Sequence, residues 1–306
     1  MRAALAAGLA LGLLCSPAWA GSLRYCDGQT EPTAAVQDRL IQVAGIIKAE
    51  LDRSGQSLAI VSRSGLGLQR LEQRYSHAGV SLKASSNTPW SVRQLYYACD
   101  EQRPRIFDQG MSGFVLGAHD TSESYVSIVL LPEDAAMALE RTALNDDQAL
   151  QLLGTTYSAN AHAFSQRYQN CNQWLVELLA SAWGSDTPAA TSAQATPEWR
   201  AQAQQWLRAE GYQPSVLKVG WQPLMWVAAV LPWLHSDDHP AADLEQARFQ
   251  VSMPQSIEAF VQARLPEATR MELCYTDQRV VLRRGWEAIA SGCQPQAGDE
   301  VISLRN

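Results

Sequence analysis

Two residues of this chain are best suited to covalent chemistry: a cysteine at a helix start and a histidine on a strand. In Asn170-Cys171-Asn172-Gln173-Trp174, the asparagine can cap the free backbone donors, and Gln173 three residues on completes a capping-box-like pair. Cys171 then falls in the first turn, where the positive end of the helix dipole favours a thiolate. His77, in Tyr75-Ser76-His77-Ala78-Gly79-Val80, supplies an imidazole that could take a proton from the thiol and return it to a leaving group. A third group must hold the imidazole tautomer. Gln94 is expected to do so, because its amide oxygen can accept from a ring N–H, whereas neighbouring Arg93 only donates. The chemistry implied is thiolate attack on an acyl carbon, with the backbone N–H of Cys171 helping to hold the oxyanion. The competing reading makes Cys171 a small buried apolar residue and His77 a member of a hydrogen-bond network.

The elements that must position these residues follow from periodicity. Residues 30–53 carry Val36, Leu40, Val43, Ile46, Ile47 and Leu51 in a helical rhythm that Ser54-Gly55 stops. Leu58 to Ser62 reads as a short strand. Along Arg74 to Leu82, Ala78, Val80 and Leu82 face one way while His77, Gly79 and Ser81 face the other. The turn-rich 84–89 stretch leads into a return strand, Trp90 to Tyr97, which makes a hairpin. Ser124 to Leu131 is a further strand, and Pro132-Glu133-Asp134 starts a helix. Behind Cys171, Trp174, Leu175, Leu178, Leu179 and Trp183 form an apolar stripe that ends at Gly184. A helix starts at Thr196-Pro197-Glu198 and ends near Gly211. Short strands are expected at Met271 to Cys274, Arg279 to Arg283 and Glu300 to Leu304. The order predicts an α+β chain with no internal repeat.

Residues 1–20 read as a signal peptide: Arg2, an apolar run from Ala3 to Leu14, and Ala18-Trp19-Ala20 before the expected cleavage. The apolar run is short of the roughly 20 residues a spanning helix needs, so a periplasmic location is expected. Of the six cysteines, Cys15 leaves with the signal, and the remaining five cannot all pair within one chain. Export favours disulfides. The pairing expected from position is Cys26 with Cys99 and Cys274 with Cys293, which leaves Cys171 free. A formal net charge of −7 and the lack of a Lys/Arg cluster argue against nucleic-acid binding.

Other motifs carry less. His235-Ser236-Asp237-Asp238-His239 spaces two histidines four apart, but Pro232 and Pro240 bracket them and break any helix that would present both to a metal. No metal or cofactor is expected. His162 could line the site, and His119 lies beside turn residues. The stretch between Trp221 and Trp233 could contact a membrane surface or line an acyl groove; packing in the core as a proline-kinked helix is the plainer expectation.

A strand histidine in Ser-His-Ala-Gly, a polar residue on the next strand, and then Asn-Cys at a helix start resemble the circularly permuted NlpC/P60 (papain-like) enzymes, including YiiX-type and lecithin retinol acyltransferase-like proteins. More closely, the mature chain resembles the DUF2145 family of bacterial exported proteins. The matching stretches are residues 75–79, Tyr168-Gln169-Asn170-Cys171-Asn172-Gln173-Trp174, Asp238-His239-Pro240 and Arg284-Gly285-Trp286. The resemblance implies Cys171 as nucleophile and His77 as base, with Gln94 where histidine is usual. It implies an α+β, papain-like antiparallel sheet packed on helices. Residues 21–184 would form the catalytic core, 185–196 a linker or exposed loop, and 197–306 a C-terminal α+β extension packed on it. The expected activity is cleavage of an amide or ester in a peptide or lipid acyl substrate. An acyltransferase on the same scaffold and a non-catalytic binding or envelope-assembly module are the alternatives.

Overall fold

The computed structural model describes residues 32–117, 123–184, 198–219 and 231–305. The expected signal peptide, Cys26, His119, the 185–196 loop and Trp221 lie outside them. Eight helices and ten strands are described. The helices are α1 (Ala34–Arg53), α2 (Met111–Leu116), α3 (Glu133–Leu144), α4 (Asp146–Gln151), α5 (Cys171–Trp183), α6 (Trp199–Ala209), α7 (Ala241–Glu245) and α8 (Pro254–Arg264). The strands are β1 (Leu58–Arg63), β2 (His77–Leu82), β3 (Ser91–Ala98), β4 (Arg103–Gln109), β5 (Glu123–Leu130), β6 (Ser215–Lys218), β7 (Arg248–Val251), β8 (Thr269–Thr276), β9 (Arg279–Arg284) and β10 (Glu300–Ser303). Among the described residues, no helix is long and apolar enough to cross a membrane.

Eight of these strands form one antiparallel sheet in the order β10-β9-β8-β5-β1-β2-β3-β4, and β6 and β7 form a separate pair. The α+β class and the sheet packed on helices match the expectation. The segment after residue 197, read as an extension packed on the core, supplies β8, β9 and β10 to the same sheet. The apolar runs of β8 and β9 are buried on both faces, so they need neighbours on both sides of the sheet rather than one covering layer. Cys274 and Cys293 are disulfide-bonded with a Cα–Cα separation of 5.4 Å.

The sheet is covered on both faces, which is why all six residues of β1 and of β2 are buried. On one face Leu40, Val43, Ile47 and Leu51 of α1 and Met111, Phe114 and Val115 of α2 pack with Ala59, Val61, Val92, Val126 and Leu273. On the other face lie α3, α5 and α8. There Ser62 Oγ donates to Glu258 of α8 at 2.9 Å, and Arg93 reaches the Ala143 carbonyl at the end of α3 at 2.6 Å. Alternation along β2 thus sends His77 and Gly79 to the α1/α2 face, and Ala78 and Val80 to the α5 face.

Candidate functional site

Helix α5 begins as the sequence implies. Asn170 Oδ1 accepts from the Gln173 backbone N–H at 2.7 Å. The capping box does not close, because the Gln173 side chain is drawn elsewhere: its Nε2 faces the carbonyls of Ala163 (3.3 Å) and Ser165 (3.2 Å). That loop must be held because it carries the chain into Cys171, and a buried carboxylate holds it. Glu177 is fully buried on α5 and accepts from Gln169 (2.6 Å), Gln204 (2.6 Å) and Arg200 Nε (2.9 Å). Arg200 and Gln204 of α6 also donate to the carbonyls of Ser165 and Tyr168. Burial raises the Glu177 pKa, opposed by Arg200.

Cys171 is the first residue of α5, buried, and the free cysteine among the described residues. The expectation of a favoured thiolate needs correction. Burial pushes the thiol up to about 11. The backbone N–H groups of Asn172 and Cys171, the Arg63 charge and the Tyr157 phenol all pull it down, and do not compensate. A helix terminus acts over roughly 0.3–1 kcal/mol when exposed, whereas removing a thiolate from water costs more. The resting form is a neutral thiol.

On the opposite face of the sheet, His77 Nε2 and Gln94 Oε1 are 2.7 Å apart. Gln94 in turn donates from Nε2 to Gln109 Oε1 at 2.8 Å, which fixes its amide oxygen toward the ring. An amide oxygen only accepts, so the proton sits on Nε2 and the lone pair on Nδ1. Gly79 makes this arrangement possible. A Cβ there would lie 2.8 Å from the Arg93 carbonyl and 3.0 Å from Gln94 Cβ, so any larger residue would push β3 away. The imidazole stacks on Tyr96 with centroids 4.6 Å apart and lies near Phe114. Burial, and then the Arg63 charge, hold its pKa down at about 3 against the raising effect of Gln94. The imidazole is neutral.

The structure therefore joins His77 to Gln94 and sets Cys171 apart. Helix α5 packs on β2 and β3 from the Ala78/Val80 face, while His77 points to the α1/α2 face. Among the described residues no hydrogen bond links the thiol to His77. The segments that carry them touch just before β2, where Asn172 Nδ2 donates to the Ser76 carbonyl at 3.2 Å. Sequence reading missed three residues there. Arg63 is the cross-strand partner of His77, and its signal was a lone charge closing the apolar run of β1. Tyr157 touches the thiol and had no local signal. Glu177 was hidden as one polar residue on an apolar helix.

The remaining described histidines form a clasp. His239 Nε2 donates to the Asn160 carbonyl (2.7 Å), Asp238 accepts from the His162 backbone N–H (2.9 Å), and His235 stacks on Tyr168 with centroids 4.2 Å apart. These bonds hold the 158–168 loop rather than line the thiol. No group of three or more His, Cys, Asp or Glu residues able to hold a metal occurs among the described residues. Trp233, at the end of the tryptophan-rich stretch, is buried.

A family model described as "Uncharacterized protein conserved in bacteria (DUF2145)" matches residues 50–261, and the chain belongs to that family. The match contains Arg63, His77, Gln94 and Cys171 and ends within α8, before β8. Neither a curated protein nor a solved structure matches the chain.

Proposed function

We propose that this member of the DUF2145 family is an exported cysteine hydrolase, with Cys171 as nucleophile and His77, oriented by Gln94, as general base. The observation that carries the reading is the free thiol at the first position of a capped helix, where the Asn172 and Cys171 backbone N–H groups and the Arg63 charge favour the thiolate against its burial. Sγ attacks an amide or ester carbonyl, its proton passes to His77 Nδ1, and the N–H groups hold the oxyanion. His77 then protonates the leaving group, and water, deprotonated by the same nitrogen, releases the acyl group. Both groups rest neutral, so proton transfer accompanies attack instead of preceding it. The transfer requires the start of β2 to bring Nδ1 to the sulfur when substrate binds. On this reading the scaffold is a permuted papain-like one, and the substrate is a cell-envelope peptide or lipid. The signal peptide ends at Ala20, and the protein is periplasmic.

A second reading, a non-catalytic binding or envelope-assembly module, is favoured by the burial of Cys171 and by the lack, among the described residues, of a hydrogen bond between it and His77. Iodoacetamide alkylation of the intact, unreduced protein separates the two. A thiol of pKa about 11 is only ~0.01% ionised at about pH 7. The enzyme reading expects Cys171 to react near neutral pH about a hundredfold faster than that fraction allows, and His77→Ala to remove the excess. A rate that simply climbs toward pH 11, untouched by His77→Ala, would establish the binding module.

A further inference from the structure

Arg63 is a charged residue of the site whose chemistry the proposed reaction leaves unused. It ends β1 as the register partner of His77 and is 5% exposed. Nη2 donates to Tyr96 Oη at 2.7 Å and Nη1 to the Ser64 and Gly117 carbonyls. No carboxylate of the described residues pairs with it, and its buried Nε has no hydrogen-bond partner. A buried guanidinium without an anion costs several kcal/mol, so one that persists needs a reason. The chain also clears space around it. A Cβ on Gly65 would fall 2.7 Å from both Arg63 Nη1 and Ser76 Oγ, and one on Gly117 would strike the guanidinium. Through Ser76 the group adjoins α5, because the Ser76 carbonyl receives Asn172 Nδ2. Asn172 Oδ1, on the residue that follows Cys171, likewise has no partner. A cationic donor and an amide acceptor, both buried and without a partner, are therefore linked through Ser76, and the Arg63 charge is felt at Cys171.

We infer that Arg63 anchors an anionic group, a carboxylate or a phosphate, on the molecule whose acyl carbon Cys171 attacks. The inference rests on the proposed hydrolase reading and narrows its substrates to negatively charged acyl compounds. Nε supplies a charge-assisted hydrogen bond to an anion oxygen, and the planar guanidinium suits either oxyanion. Asn172 Oδ1 is free to accept an amide N–H of the same molecule.

Two alkylating reagents of nearly equal size test this. Iodoacetate and iodoacetamide both react by attack of Sγ on the methylene carbon with loss of iodide, but only iodoacetate carries a carboxylate. The expected iodoacetate-to-iodoacetamide rate ratio at Cys171 is about tenfold above that of free cysteine, the scale of one charge-assisted hydrogen bond. It should fall to the free-cysteine value in Arg63→Gln and be partly retained in Arg63→Lys, which also covers the case of a Gln variant that does not fold. A wild-type ratio equal to that of free cysteine overturns the inference. If Cys171 reacts with neither reagent, the hydrolase reading fails, and the anion site is read separately by thermal unfolding with sodium acetate or inorganic phosphate at matched ionic strength. Stabilisation by acetate alone identifies a carboxylate site and by phosphate alone a phosphate site, each being lost in the Arg63 variants. Equal shifts in wild type and variants overturn it.

Discussion

The two faces of the sheet hold their polar groups by different means. On the α1/α2 face, His77 is fixed by neutral partners: the Gln94 amide, the Gln109 amide behind it, and the Tyr96 ring. On the α5 face, the loop before Cys171 is fixed by a charge pair, Glu177 with Arg200, surrounded by glutamine side chains. Neutral partners let burial keep the imidazole uncharged, whereas an ion pair locks a backbone in place through charge-assisted bonds. The histidine face is thus held by neutral hydrogen bonds and the cysteine face by charge. Arg63 is a charge felt on both.

The largest effect that separates the faces should come from Glu177→Ala. It leaves Arg200 buried without its carboxylate and should lower unfolding stability by about 3–5 kcal/mol in urea titrations, with Cys171 becoming more readily alkylated as its loop loosens. An effect below ~1 kcal/mol would mean that the pair does not hold the loop. On the histidine face the lever is pH. The folded His77 pKa is depressed to about 3 from an unfolded value near 6.5, so its contribution is intact above pH 6.5 and drains away as the unfolded chain gains a proton below it. By about pH 4 some 3 kcal/mol of that contribution should be gone. Comparing wild type with His77→Gln in acid should expose the difference; parallel acid-unfolding curves would show that His77 is not held neutral. Gly79→Ala brings a Cβ against the Arg93 carbonyl and should cost about 2 kcal/mol, seen as a lower Tm with a displaced Gln94. The mildest change, Gln94→Leu, removes one acceptor at about 1 kcal/mol. Its sharper readout is NMR of the ring nitrogens: the Nε2–H tautomer should dominate in wild type and lose its preference in the variant.

Periodicity carried most of the fold. The rhythm from Val36 to Leu51 marks α1, and the alternation around His77 marks β2 with the correct facing of every residue. Strand β4 escaped notice because Arg103-Pro104-Arg105 is charged and contains a proline, which suits its position at a sheet edge. The His77–Gln94 contact was legible because parity and hydrogen-bond chemistry act over short range. The placement of Cys171 on the opposite face was not, since it depends on how α5 packs against a sheet assembled from distant segments. The protonation states were not legible either: a helix start argues for a thiolate, and only the burial seen in three dimensions reverses it.

The seam between β5 and β8 has a consequence for how the chain acquires its shape. Residues 131–268, including α5, form the excursion between these paired strands, so the sheet cannot close until the C-terminal strands have been made. Such distant pairing is slow to form. Until it does, the sulfur of Cys171 lacks its cover and is exposed together with the unpaired thiols of Cys274 and Cys293. Refolding from the reduced state should therefore accumulate mixed disulfides through Cys171. Cys171→Ser should raise the yield of native protein whatever the residue does once folded.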